Sequence, residues 1–211
     1  MKCVSIKGKE EFEIREMEEP ISVNGEVVID VKKTGICGSD IHYWVAGEPV
    51  GLVMGHEYSG VVSNPGNRED LKVGDRVTAL PISPCGKCRA CTTGNPQYCL
   101  ETWVNATGLS LTYPGALAPK MKVRSDMVLK VPDSASDEEI AMVEPTAVVL
   151  HAIHLADIKV GAKVLVIGGG IIGLVSAMFA KKEGASYVAI SETNLARAKK
   201  AVDLGVADEW M

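Results

Sequence analysis

Cys37 and His56 are the residues whose types most directly suggest chemistry. They lie in the stretch Thr34 to Glu57, which holds one cysteine, two of the chain's four histidines and three acidic residues. A thiolate and an imidazole form a donor set that suits zinc. Each has an ordinary alternative when read alone: Cys37 as a small buried hydrophobe, His56 as a core histidine. Gly35, Gly38, Gly47, Gly51 and Gly55 punctuate the stretch, so it is expected to be loop and turn. Loops carried on a rigid scaffold are where reactive groups concentrate.

A second cluster is denser. Cys85, Cys88, Cys91 and Cys99 fall in 15 residues with the spacing C-x2-C-x2-C-x7-C. Four thiolates in a glycine-punctuated lobe can enclose one zinc tetrahedrally and leave no open position, as a structural site does. The first three cysteines also match a bacterial iron–sulfur run. That run requires three residues before its fourth cysteine and a proline after it. Here the gap is seven and Leu100 follows, so zinc is the reading adopted.

A third pattern is a glycine turn. The apolar run KVLVI precedes Gly168-Gly169-Gly170-Ile171-Ile172-Gly173, which fits G-x-G-x-x-G. Gly168 would make the tight turn, Gly170 would let backbone approach a pyrophosphate, and Gly173 would let helix and strand pack closely. The helix N-terminus beyond it offers free N–H groups to phosphates. Glu192 closes the next predicted strand, where a carboxylate accepts ribose hydroxyls and repels a 2′-phosphate; NAD is therefore expected over NADP. Glu144 is a fourth candidate. It sits before Pro145 between apolar runs, so if buried it should have a cation, and if exposed it merely ends a helix.

The elements that must position these groups follow from pattern. MKCVSIK, FEIREM and EVVIDVKK read as strands, with a turn at Asn24-Gly25. YSGVVS and VGDRVTALP continue the series, and MKVRSDMVLKVPD is expected to supply a further strand pair. Many short strands predict a barrel-like unit. Ser136 and Glu139 form a capping box that starts a helix near Asp137. Pro145 is expected to disturb that helix, with a second from about Thr146 to Ala156. KVLVI is expected to be a strand buried on both faces. A third strand is expected at Asp208–Met211, where the sequence stops, leaving the first half of a dinucleotide sheet.

Composition bounds the partners. The chain has 211 residues, is 46% hydrophobic and carries a net charge of −5, which argues against nucleic acid or an anionic membrane as partner. No apolar run reaches membrane-helix length, and MKCVSIKGKEEFEIREMEEP is not a signal peptide. Crowded cysteines in such a chain predict metal binding in a reducing, cytoplasmic setting.

Taken together, GICGSDIHYW, GHE, VGDRV, the four-cysteine lobe, MVEPTAVVLHA and GGGIIG resemble the zinc-dependent medium-chain alcohol and polyol dehydrogenases, nearest the sorbitol dehydrogenase branch. The resemblance implies an α/β plus β fold. Residues 1–150 would be a GroES-like β-barrel catalytic domain with the zinc lobe at 85–99, and residues 151–211 an incomplete, doubly wound Rossmann domain. It implies one catalytic and one structural zinc, NAD, and an alcohol or polyol substrate oxidised to a ketone by a homo-oligomeric full-length enzyme. Cys37 and His56 would ligate the catalytic zinc and Glu57 would join them. Glu144 would either bind the metal or hold its water, and Asp40 would orient His56. Ser39 and His42 match a proton relay, Tyr43 a substrate contact, and Ile172, Glu192 and Arg197 cofactor contacts. Two other readings stand beside this one: a threonine- or butanediol-type dehydrogenase, and a zinc-binding fragment without activity. The PGALAP segment at 114–119 departs from the family's aromatic and acidic pattern, so altered local packing is expected there.

Overall fold

A computed structural model describes every residue except Asn24. The chain divides into two compact units, Met1–Glu144 and Pro145–Met211. Among the described residues no helix is long and apolar enough to cross a membrane.

The first unit begins with an antiparallel hairpin, β1 (Lys2–Gly8) and β2 (Glu11–Glu16). Gly25 then takes φ +84, as the expected turn requires, while Asn24 lies outside the described residues. A five-stranded sheet follows: β3 (Glu26–Thr34), β4 (Tyr58–Asn64), β5 (Arg76–Ala79), β6 (Lys120–Arg124) and β7 (Val128–Lys130). Its order is β6-β3-β4-β5-β7, antiparallel throughout. The expected pairing of β6 with β7 is therefore corrected, since they form opposite edges of the sheet. Only the 3-10 turn Ser125–Met127 joins them. The outer strands of a flat five-stranded sheet lie about 19 Å apart, farther than so short a turn reaches. The sheet must curl, which gives the barrel-like unit its form. Val27, Ile29, Tyr58, Val62, Val77, Met121 and Val123 fill its interior.

Two helical expectations change. The stretch from Thr34 to Glu57 is not all loop: helix α1 spans Gly38–Ala46. Its glycines sit at its ends rather than inside it. The Cys37 N–H donates to Asp40 Oδ2 at 2.9 Å, and Gly47, at φ 75, ends the helix by donating to the Tyr43 carbonyl. The lobe carries a one-turn helix, α2 (Arg89–Thr92). Ser136 caps α3 (Asp137–Ala141) with the expected box to Glu139. Helix α4 (Val143–Ala156) begins three residues earlier than expected. Pro145 falls in its first turn, where its missing N–H has no partner to lose.

In the second unit β8 (Lys163–Ile167), α5 (Ile171–Lys182), β9 (Tyr187–Ser191), α6 (Leu195–Asp203) and β10 (Glu209–Trp210) alternate. The strands are parallel in the order β10-β9-β8. Ala177, Ala180, Val188, Ile190 and Ala201 form its core, with Val164 and Val166 against it. On the other face of β8, where burial is also expected, Leu165 is 54% and Ile167 84% exposed within these 211 residues. On the opposite side α5 packs against β8 and β9, and α6 against β9 and β10.

Candidate functional site

The metal-type cluster is built where two neighbouring strands end. In the β3–β4 register Thr34 faces Tyr58, so Cys37, just past β3, meets His56 and Glu57, just before β4. The donor atoms of Cys37, His56 and Glu57 lie within 4.8 Å of one another. Gly35 is required here, because a Cβ on it would collide with the Glu57 carboxylate; its N–H donates to the Glu57 carbonyl at 2.6 Å.

Helix α1 brings Asp40 under this cluster. Asp40 and His56 are 3% and 4% exposed, and His56 Nδ1 lies 3.6 Å from Asp40 Oδ1. Neither atom has a hydrogen-bond partner, and 3.6 Å is beyond a hydrogen bond. Burial of two such groups is costly unless they serve each other. With Nδ1 turned toward the carboxylate, Nε2 is left for a metal. Burial raises Asp40 and Glu57 above the ordinary carboxyl range, against the opposing pull of the Cys37 N–H on Asp40 and of the His56 charge on Glu57.

Glu144 lies near the same cluster but outside the group of three donors. Burial first, then the charges of Glu57 and Asp40, push it up to about 7. A cysteine, a histidine and a glutamate that converge, with two further acidic side chains nearby, are the donor chemistry of a divalent cation site. Zinc fits these residues on that ground and on the orphaned Nδ1–Oδ1 pair.

On α1, Ser39, His42 and Tyr43 stand at i, i+3 and i+4 and share a face. The Ser39 hydroxyl is buried without a partner. His42 is exposed, and Tyr43 packs against Ile6, Leu52 and Met54.

Sequence reasoning missed what steadies His56. The 114–119 segment lies backbone-to-backbone on residues 53–55: Gly115, Ala116 and Leu117 donate to the carbonyls of Val53, Gly55 and Met54 at 2.8 to 2.9 Å. A Cβ on Gly115 would come within 2.5 Å of the Gly55 and Met54 carbonyl oxygens. The glycine in PGALAP was the available signal, since close approach is its common purpose.

In the lobe all four cysteine sulfurs lie within 4.8 Å of one another. The Cys85 N–H points at Cys99 Sγ and the Cys88 N–H at Cys85 Sγ, each at 3.4 Å. Such donors favour thiolates: the Cys85 N–H, ahead of others, pulls Cys99 down to about 6, and the Lys87 and Cys88 N–H groups lower Cys85. Cys91 is pushed up to about 11 by burial and by Cys88. Four convergent sulfurs with no further donor fit a closed zinc site.

In the second unit the three glycines meet three different demands. Gly168 has φ +101, which only the turn requires. Gly170 has open space where a Cβ would stand, while a Cβ on Gly173 would overlap the Gly168 carbonyl oxygen. Glu192 accepts from the Gly169 and Asn194 N–H groups, both at 2.7 Å, and these hold its carboxyl below the usual range. Ile172 and Arg197 are exposed near the N-terminal ends of α5 and α6.

A curled antiparallel unit bearing a cysteine–histidine–glutamate cluster and a four-cysteine lobe, followed by parallel strands with a glycine turn, is the architecture of the zinc-binding dehydrogenases. The comparison with family models agrees: residues 23–133 match the alcohol dehydrogenase GroES-like domain, and the chain belongs to that family. Sorbitol dehydrogenase of Bombyx mori is 34% identical over 209 residues, covering 95% of this chain and 59% of that protein. D-xylulose reductase A of Aspergillus niger is 40% identical over 185 residues, covering 84% of this chain and 50% of that one. Among solved structures, a Sinorhizobium meliloti protein described as a zinc-binding dehydrogenase and bound to NADP superposes with a TM-score of 0.91 at 29% identity, over 100% of this chain and 61% of its own. This chain thus spans about half to three-fifths of the length of the relatives it matches.

Proposed function

We propose that this chain is the metal-binding and first cofactor-binding portion of a zinc-dependent oxidoreductase that converts a secondary alcohol or polyol to a ketone with NAD. The observation that carries the reading is the meeting of Cys37, His56 and Glu57 at adjacent strand ends, with Asp40 beneath His56. On this reading residues 1–150 are the catalytic domain and 151–211 the beginning of the NAD domain. Cys85, Cys88, Cys91 and Cys99 hold a second, structural zinc. When bound, the catalytic zinc supplies Lewis-acid polarisation of a substrate hydroxyl and the nicotinamide supplies a hydride acceptor.

The chain's own groups do the rest. Cys37, His56 and Glu57 hold the metal, and Glu144 either joins them or holds its water. Asp40 fixes the imidazole of His56 through Nδ1. Tyr43 borders the substrate. The hydroxyl proton passes to Ser39 Oγ, which is buried and otherwise unpartnered, and leaves through the exposed imidazole of His42. Gly168, Gly170 and Gly173 shape the turn for a pyrophosphate, with Ile172 and Arg197 beside it. Glu192, held ionised by two backbone donors, favours a free 2′-hydroxyl over a phosphate. Its two N–H partners support NAD here, although the Sinorhizobium relative was bound to NADP.

No disulfide joins any of the six cysteines, which suits a cytoplasmic setting; the resemblance to polyol dehydrogenases supports a homo-oligomer for the full-length form. The test is an assay of the full-length protein for NAD reduction with sorbitol, xylitol and 2,3-butanediol. NADH formation that His56→Ala abolishes supports the reading. Formation of NADH unaffected by His56→Ala contradicts it.

A further inference from the structure

The hairpin of β1 and β2 precedes the residues that match the family domain, which begin at 23. It nevertheless grips the segment between the first two donors of the metal cluster. At its tip Glu10 takes the left-handed conformation, with φ 56, and its N–H donates to the Trp44 carbonyl at 2.8 Å. A non-glycine residue held there is a strained one whose conformation must be fixed by its surroundings. Gly47, which ends α1, lies so close to the tip that a Cβ would stand 2.6 Å from Lys9 Cα. Phe12 stacks on Trp44 with ring centroids 6.1 Å apart and planes 18° from parallel. Past the helix, Gly51 donates to the Ile6 carbonyl at 2.8 Å, Ile6 donates to the Leu52 carbonyl at 3.0 Å, and Arg15 Nη2 donates to the Gly51 carbonyl at 3.0 Å. Ile6 is fully buried in the cluster against which Tyr43 packs.

These contacts share one property. They hold α1 by its C-terminal turn, and they hold the loop between α1 and His56 by its middle. The N-terminal end of α1, with Cys37 and Asp40, is left to the metal cluster. We infer that the hairpin is a positioning element for the active-site helix, and that Phe12 is its principal positioning residue, acting through Trp44 on the face that carries Ser39, His42 and Tyr43. This rests on the reading of Cys37 and His56 as metal donors and of Tyr43 as a substrate contact. The hairpin sets how α1 is rotated and tilted over the metal, and so the width of the pocket beside it. Small displacements of such groups are enough to reduce catalysis, because reacting geometry tolerates well under an ångström.

The test uses the chain itself, loaded with zinc, and three variants: Phe12→Ala, Phe12→Tyr and Ile14→Ala. Ile14 is on the same strand and the same face but 74% exposed, so it controls for lost hairpin surface. Two quantities are read: backbone amide exchange in residues 38–52 compared with β3 and β4, and chelator competition for each zinc. Cys37→Ala identifies which titration step belongs to the lobe. An aromatic stack of this kind is worth up to a roughly ten-fold change in an equilibrium. In Phe12→Ala, exchange over 38–52 is expected to rise about five- to ten-fold and the Cys37-site zinc to yield to proportionally less chelator. The sheet and the lobe zinc should stay as in the wild type. Phe12→Tyr should restore both quantities and Ile14→Ala should leave both unchanged. Unchanged exchange over 38–52 in Phe12→Ala overturns the inference, as does an equal rise in Ile14→Ala. If Cys37→Ala loses no zinc, the metal reading fails separately, and the exchange measurement alone still decides the role of the hairpin.

Discussion

Gly170 and Gly173 stand three residues apart in one turn, and replacing each with alanine should have opposite consequences. At Gly173 the added methyl overlaps the Gly168 carbonyl oxygen and sits 3.4 Å from Val166 Cγ1. The first obstacle is backbone, which cannot rotate away as a side chain end can, so α5 must move off β8. That movement separates Ala177 and Ala180, both fully buried, from Val188 and Ile190. Overpacking of this kind costs about 1–3 kcal/mol, and a rigid obstacle puts the expectation at about 2–3. In a unit the size of residues 145–211, that lowers Tm by on the order of 10–20 °C. At Gly170 nothing lies within 4 Å of the added methyl, and φ −73, ψ −175 suits alanine. A small gain from the stiffer unfolded chain offsets the loss of glycine at a helix cap, so stability should change by less than about 1 kcal/mol. On the proposed reading the methyl would instead occupy space meant for a pyrophosphate. The assay is denaturant unfolding by circular dichroism together with ADP-ribose titration. Gly173→Ala should lose stability, while Gly170→Ala should lose binding alone. A Gly173→Ala variant as stable as the wild type would refute the packing argument, and equal destabilisation by both would refute the division of roles.

The remaining predictions concern the first unit. Tyr58 is fully buried, its hydroxyl has no partner, and burial pushes its phenol up. Tyr58→Phe should therefore raise stability by about 1–2 kcal/mol in denaturant melts; a loss would show that the hydroxyl is satisfied. In metal-stripped protein Glu144 titrates at about 7 rather than 4.5. Folding binds its proton, so its contribution to stability is full below pH 4.5 and lost as pH rises toward 7; Glu144→Gln should flatten that slope, and an unchanged slope would refute it. Asp75 shifts the other way: the Lys130 ammonium, then the Lys72 N–H, holds its carboxyl down. Its contribution is present above pH 3.8 and lost as pH falls through the lowered value, so Asp75→Asn should flatten the acid limb of the melt. Cys91→Ser should release the lobe zinc and destabilise the first unit by several kcal/mol, since binding of a structural zinc is coupled to folding. A variant melting with the wild type would contradict that.

How much could be read beforehand depended on the range of the forces involved. The Ser136 box, the glycine turn and the cysteine spacing are set within a few residues, and the structure has each where the pattern puts it. Helix α1 was hidden because Gly38 and Gly47 look like breakers in sequence, and only the Asp40–Cys37 bond and the left-handed Gly47 reveal them as its ends. The edge positions of β6 and β7 and the docking of 114–119 on 53–55 are pairings between distant residues, which no local pattern encodes. The same is true of the hairpin on α1. KVLVI is uniformly apolar, yet Val164 and Val166 meet helices while Leu165 and Ile167 do not. An apolar run records what a strand can bury, and the elements packed on it decide what it does bury.

The most direct test of the central claim is the zinc content of the purified chain and of two variants, measured by elemental analysis against protein concentration. Two zinc ions per chain are expected in the wild type. One should remain in Cys37→Ala, with the fold intact, and one in Cys91→Ser. Two zinc ions retained by Cys37→Ala, or a wild type whose single zinc survives that substitution, would show that Cys37, His56 and Glu57 do not form a metal site.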